Sequence, residues 1–147
     1  MAAPTLLSGN RFRLYKNTTG STYVFVCLAS TLSLTYTNDF EDATVPDCAT
    51  PLSIPQRQSV LRSQGWSLSF SGSVDATQLT TLRADVASET AVKYQIQVDK
   101  LLAAGGGTWT GFIFFESLVV SKTNNGIVTF TATCRGDAAL VWADALA

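Results

Sequence analysis

The sequence predicts a mainly β protein: an antiparallel β-sandwich or partly closed barrel, with one flanking α-helix at about residues 75–87 and a long irregular loop at about residues 38–58. Three observations predict it. Apolar and polar residues alternate through segment after segment, which marks sheets with one apolar and one polar face. A single segment, beginning at Asp75, switches to helical spacing. Glycine- and asparagine-rich junctions join neighbouring strand patterns directly, as in antiparallel pairs.

Taken in order, Tyr23–Leu28 is apolar on both faces, so it reads as a strand buried in a core or at a contact between subunits. Leu32, Leu34 and Tyr36 then alternate with Thr31, Ser33, Thr35 and Thr37. The stretch 38–58 follows, with Pro46, Pro51 and Pro55 denying it regular pairing. Trp66, Leu68 and Phe70 alternate with serines. From Asp75, the residues Ala76, Leu79, Leu82, Arg83 and Val86 fall on one helical face, with Asp75 as N-cap and Gln78 completing a capping box. Val92, Tyr94, Ile96 and Val98 form the next strand, and Gly105-Gly106-Gly107 joins it to Thr108–Phe115, whose run Phe112–Phe115 is again apolar on both faces. Asn124-Asn125-Gly126 separates strands at Leu118–Lys122 and Ile127–Cys134, because both residue types tolerate the positive φ of a tight hairpin turn.

The chain has 147 residues, enough for one domain spanning 1–147. Hydrophobic residues make up 46% and charged residues only 14%, about half the usual share, which points to surface covered by partners. The net charge is −1 and the basic residues are scattered, so no stripe for nucleic-acid phosphates exists. Three cysteines, Cys27, Cys48 and Cys134, are odd in number and widely spaced, which fits a reduced compartment better than a disulfide framework. Met1–Gly9 lacks the pattern of a signal peptide, and no apolar run is long enough to span a bilayer, so no membrane is expected.

Little in the sequence suggests chemistry. It has no histidine, which removes Ser-His-Asp and Cys-His nucleophiles and every histidine-containing zinc site. Three distant cysteines are one short of an all-cysteine zinc site, and each reads as a small apolar side chain, with Cys48 the likeliest to be exposed. Asp39, Glu41, Asp42 and Asp47 cluster in the loop without the order of a calcium hand, so a solvated loop or an interface patch is the better reading. The glycine triplet lacks the Lys-Ser/Thr of a phosphate loop. Trp66 reads as core, while Trp66, Trp109 and Trp142 together leave open a carbohydrate-binding β-sandwich. No catalytic, cofactor or metal residue is assigned.

Four segments in order resemble the major tail protein, or tail tube protein, family of long-tailed bacteriophages and gene transfer agents. They are Thr31–Leu34 with Glu41–Thr44, Gly65–Gly72 leading into the helix, Val92–Val98 with Gly107–Phe112, and Asn125–Gly136. The resemblance implies a structural virion protein that stacks in sixfold rings as a DNA conduit, with one sheet per subunit joined into a barrel that lines the lumen. It implies as partners other copies of the chain, tape measure, tail tip and tail terminator proteins, with DNA only as transient cargo. It places the protein in the virion tail after synthesis in the bacterial cytoplasm. A single-ring terminator or connector is a related alternative, and a small enzyme comes last. The long loop is then the expected element between subunits, through Asp39, Glu41, Asp42, Pro46, Asp47 and Pro51, mobile in the free subunit and ordered on contact.

Overall fold

Strand alternation decides which side chains meet. Tyr94 and Ile96 are buried on one side of their strand, while Lys93, Gln95 and Gln97 turn to the other. The computed structural model describes residues 6–20, 22–26, 29–46, 48–122 and 124–145. Its strands are β1 (Phe12–Thr19), β2 (Thr22–Phe25), β3 (Ala29–Asp42), β4 (Ser59–Ser73), β5 (Val92–Val98), β6 (Gly107–Ser121) and β7 (Thr129–Asp144), with helix α1 (Ala76–Val86) between β4 and β5. All pair antiparallel in one sheet of order β2-β1-β5-β6-β7-β4-β3, which does not close.

The sheet is strongly curled. β4 and β5 are separated by two strands, which in a flat sheet would hold them about 14 Å apart. Yet Phe70 of β4 and Tyr94 of β5 have ring centroids 6.1 Å apart, and both lie 6.1 Å from Phe115 of β6. The sheet therefore rolls around an aromatic cluster completed by Phe130, with Leu14, Leu68, Ile96, Ile113, Ala132 and Cys134 packed beside it. Cα atoms of β1 and β3 approach within 8 Å without strand pairing, and a slot of about 800 Å³ lies between these two sides, lined by Phe12, Leu14, Phe25 and Leu32. This is the partly closed form of the two that were expected.

Helix α1 begins where the sequence places it. Asp75 is extended, and its carboxylate accepts the Gln78 backbone N–H at 2.7 Å. Leu82 enters the core, but so does Asp85, which the helical reading assigns to the polar face. Inward-pointing Asp85 has partners: it accepts the Tyr94 hydroxyl at 2.9 Å and the Lys16 ammonium at 2.8 Å.

Three boundaries differ from expectation. The irregular segment is 43–58, not 38–58, because β3 runs on to Asp42 in register with Ser59. The strands at Thr108–Phe115 and Leu118–Lys122 are one, interrupted by a bulge between Phe115 and Ser117. β1 is absent from the sequence reading, since Arg13, Lys16 and Asn17 hide its apolar side. Cys27 and Leu28, at the end of the first apolar run, lie outside the described residues.

Candidate assembly surface

β4 pairs with β7 only from Ser67 to Ser73, whereas its pairing with β3 continues to Ser59. The remainder, 36–42 against 59–66, leaves the sheet as a two-stranded ribbon that rises about 20 Å. Thr44 is half-buried; every other described residue from Tyr36 to Gly65 is exposed, so the ribbon and its tip do not fold back on the domain.

Trp66 sits at the point of divergence. Its ring lies against Gly111 and Gly136, and a Cβ on Gly136 would stand 2.2 Å from it. Only glycine admits so close an approach. The indole N–H donates to the Ala138 carbonyl at 2.9 Å. Ala138 has φ of 60°, in a bulge where three residues of β7 face the single Gly111 of β6. Trp66 thus fills the wedge where β4 parts from β7. It is core, as its alternation predicts.

The ribbon has two unlike faces. Residues opposite one another on paired strands share a face. Tyr36 opposite Trp66, and Phe40 opposite Leu61, therefore extend the core-facing side beyond the core, with Tyr36 57% and Phe40 58% exposed. The other face carries Thr37, Asp39 and Glu41. At the tip, Leu52 is 99% and Ile54 86% exposed. An isolated two-stranded ribbon is marginal in water, and a contiguous exposed apolar surface marks a contact.

The proposed interface residues divide accordingly. Asp39 and Glu41 stand together on the polar face. Asp42 ends β3, where the Thr44 hydroxyl and backbone N–H both bond to its carboxylate and hold its pKa below the usual value. Thr44 in turn accepts the Gln58 N–H at 3.0 Å, which closes the neck of the loop. Pro46 and Pro51 are exposed in the tip loop, and Asp47 lies outside the described residues. Sequence reasoning missed the larger part of the surface, Tyr36, Phe40 and Leu61. Period-two spacing from Leu34 through Tyr36 to Phe40 was the available signal.

A second exposed patch covers the outer face of β2, β1, β5 and β6. Phe25, Phe112 and Phe114 emerge there, with the Lys93 ammonium 5.8 Å from the Tyr23 ring and 6.0 Å from that of Phe112. The two doubly apolar runs are therefore half core and half surface. Trp109 and Trp142 pack edge-to-face with centroids 4.6 Å apart, and Trp66 is buried, so the three tryptophans form no common platform. Among the described residues no three His, Cys, Asp or Glu side chains gather as a metal site. Cys48 is exposed in the tip loop; Cys134 is buried, and burial pushes its thiol up to about 12, with the charges of Asp85 and Glu116 adding to the effect.

The family model described as phage tail tube protein matches residues 7–142. Among solved structures, the fold is similar to a chain in the tail of an empty gene transfer agent particle refined with C6 symmetry: 15% identity, TM-score 0.75, covering 92% of this chain and 98% of that one. It is also similar to a chain of a native gene transfer agent virion, at 13% identity and TM-score 0.73, with the same coverage. The SPP1 tail tube matches at 12% identity and TM-score 0.67 over 97% of this chain and 81% of that one. No curated protein matches the sequence. The chain belongs to the phage tail tube protein family and is a structural protein of a virion tail.

Proposed function

We propose that this chain, as one domain over residues 1–147, assembles with its own copies into sixfold rings that stack into the tail tube, with no catalytic role. DNA is a transient cargo of the lumen, and tape measure, tail tip and tail terminator proteins are the other partners. The observation that carries this reading is the amphipathic ribbon. Its apolar face continues the core pattern past the end of the core, where only another molecule can cover it. The C6 symmetry of the gene transfer agent tail supports six subunits per ring.

In this reading the ribbon and tip loop bind a neighbouring subunit through Tyr36, Phe40 and Leu61, with Asp39, Glu41, Asp42, Pro46, Asp47 and Pro51 at the rim. Ordering the tip on contact costs about 1–2 kcal/mol per fixed backbone residue, which opposes growth until an existing ring offers the surface.

Negative-stain microscopy of concentrated protein tests the proposal, beside a variant whose segment 43–58 is cut to a tight turn. The parent forms tubes; the shortened chain keeps its circular dichroism spectrum and forms none. Single rings from the parent would favour a terminator. Monomers alone would sink the proposal.

A further inference from the structure

On the outer side of β3, β4 and β7, opposite the core, the side chains are small hydroxyls. Registered rows cross the three strands: Thr31, Ser71 and Thr131, then Ser33, Ser69 and Thr133. Thr35 and Ser67 extend the pattern until Arg135 ends it. All eight hydroxyl residues reach solvent, and none is charged or large and apolar. An ordinary water-facing surface carries charge at about 25–35% of its positions. Beyond β6, the same side of the sheet is aromatic and cationic, with Phe112, Lys93 and Tyr23. The outer side therefore has two halves, one suited to burial against a partner and one suited to remain in water.

We propose that the hydroxyl face of β3, β4 and β7 lines the bore of the assembled tube, and that its lack of charge lets a polyphosphate chain pass without being held. The proposal rests on the tube reading above. β3, β4 and β7 are 14, 15 and 16 residues long, against 8, 4 and 7 for β1, β2 and β5, so they supply the taller wall. Lysines or arginines on that wall would bind phosphates through counterion release. Apolar side chains would demand a cover. A hydroxyl rotates to donate or accept, so water and phosphate oxygens meet equivalent partners at each row and no position is a trap. A tube exterior has no comparable reason to exclude charge.

The test uses full-length Cys27→Ser/Cys48→Ser protein, in which Cys134 stays buried, with Ser69→Cys or Thr131→Cys added singly. Assembled tubes and free subunits are treated with a small maleimide and with a bulky polyethylene-glycol maleimide. The expected result is that both reagents label the free subunit, while only the small one labels the tube. Labelling of tubes by both reagents puts the face on the exterior, and labelling by neither buries it between subunits; either overturns the proposal. So does a cysteine variant that no longer assembles while the parent does. A parent that forms no tubes overturns the tube reading and this inference together. For the role of charge, Ser69→Lys/Thr133→Lys tubes are sedimented with short DNA duplexes. Parent tubes leave the DNA in solution, whereas lysine tubes carry it down and release it with a log–log salt slope of about −0.9 per phosphate contact. Parent tubes that sediment DNA, or lysine tubes that sediment none, overturn the charge argument.

Discussion

Asp85 is the residue whose position departs most from its sequence signal. A helical wheel assigns it to water, yet it lies under α1, bonded to Lys16 of β1 and Tyr94 of β5. It ties the helix to two strands distant in sequence, and such a pairing has no local pattern to betray it. Asp85→Asn leaves the Lys16 ammonium uncompensated and costs about 3 kcal/mol, read as a lower urea midpoint. The same region sets an alkaline limit. Cys134 ionises near 9.0 when unfolded but only at about 12 in the fold, and burial, then Asp85, pushes the Tyr94 phenol up as well. The unfolded chain therefore loses these protons first. The stability they contribute is complete below about pH 9 and falls as pH rises, so the urea midpoint drops between about pH 8 and about pH 10.5.

At the scale of elements, legibility followed the contacts that each segment makes. Strands half in the core announced themselves, because burial imposes strict alternation on Leu32–Leu34, Trp66–Phe70 and Val92–Val98. The Asn124–Gly126 hairpin was legible from its turn chemistry; Asn124 has φ of 47°. β1 was not, since Lys16 spends its inward position on an ion pair rather than on packing. The ribbon was half legible: its carboxylates read as a loop, though Phe40 keeps the beat. Helix α1 was legible because its start is local. Only the Asp75 half of the capping box forms, by a carboxylate bond to Gln78. Asp75→Ala removes it and lowers stability by about 1 kcal/mol, which a denaturant titration resolves.

For the whole molecule, the shortage of charge and the exposed apolar ribbon describe the same fact. Assembly and folding draw on separate residues, which makes them separable by mutation. Phe40→Ser/Leu61→Ser removes apolar surface that contacts no core, so the isolated subunit keeps its unfolding midpoint to within about 0.5 kcal/mol. Tube formation, followed by light scattering and microscopy, is lost. The assembly role was legible in composition. Its main residues were not, because a side chain that waits for a partner shows the pattern of a core without lying in one.

The ribbon also behaves as a graduated rule with a step of two. Its apolar side is set by strand phase, so one residue inserted between Tyr36 and Phe40 would turn Phe40 toward the side now held by Asp39 and Glu41. Two inserted residues restore the phase and carry the tip about 7 Å farther out. In relatives that keep this apolar side, β3 and β4 should vary in length by even steps or absorb an odd residue in a bulge, as β4 does at Arg62. Loop 43–58, outside the ladder, is free to change by any number.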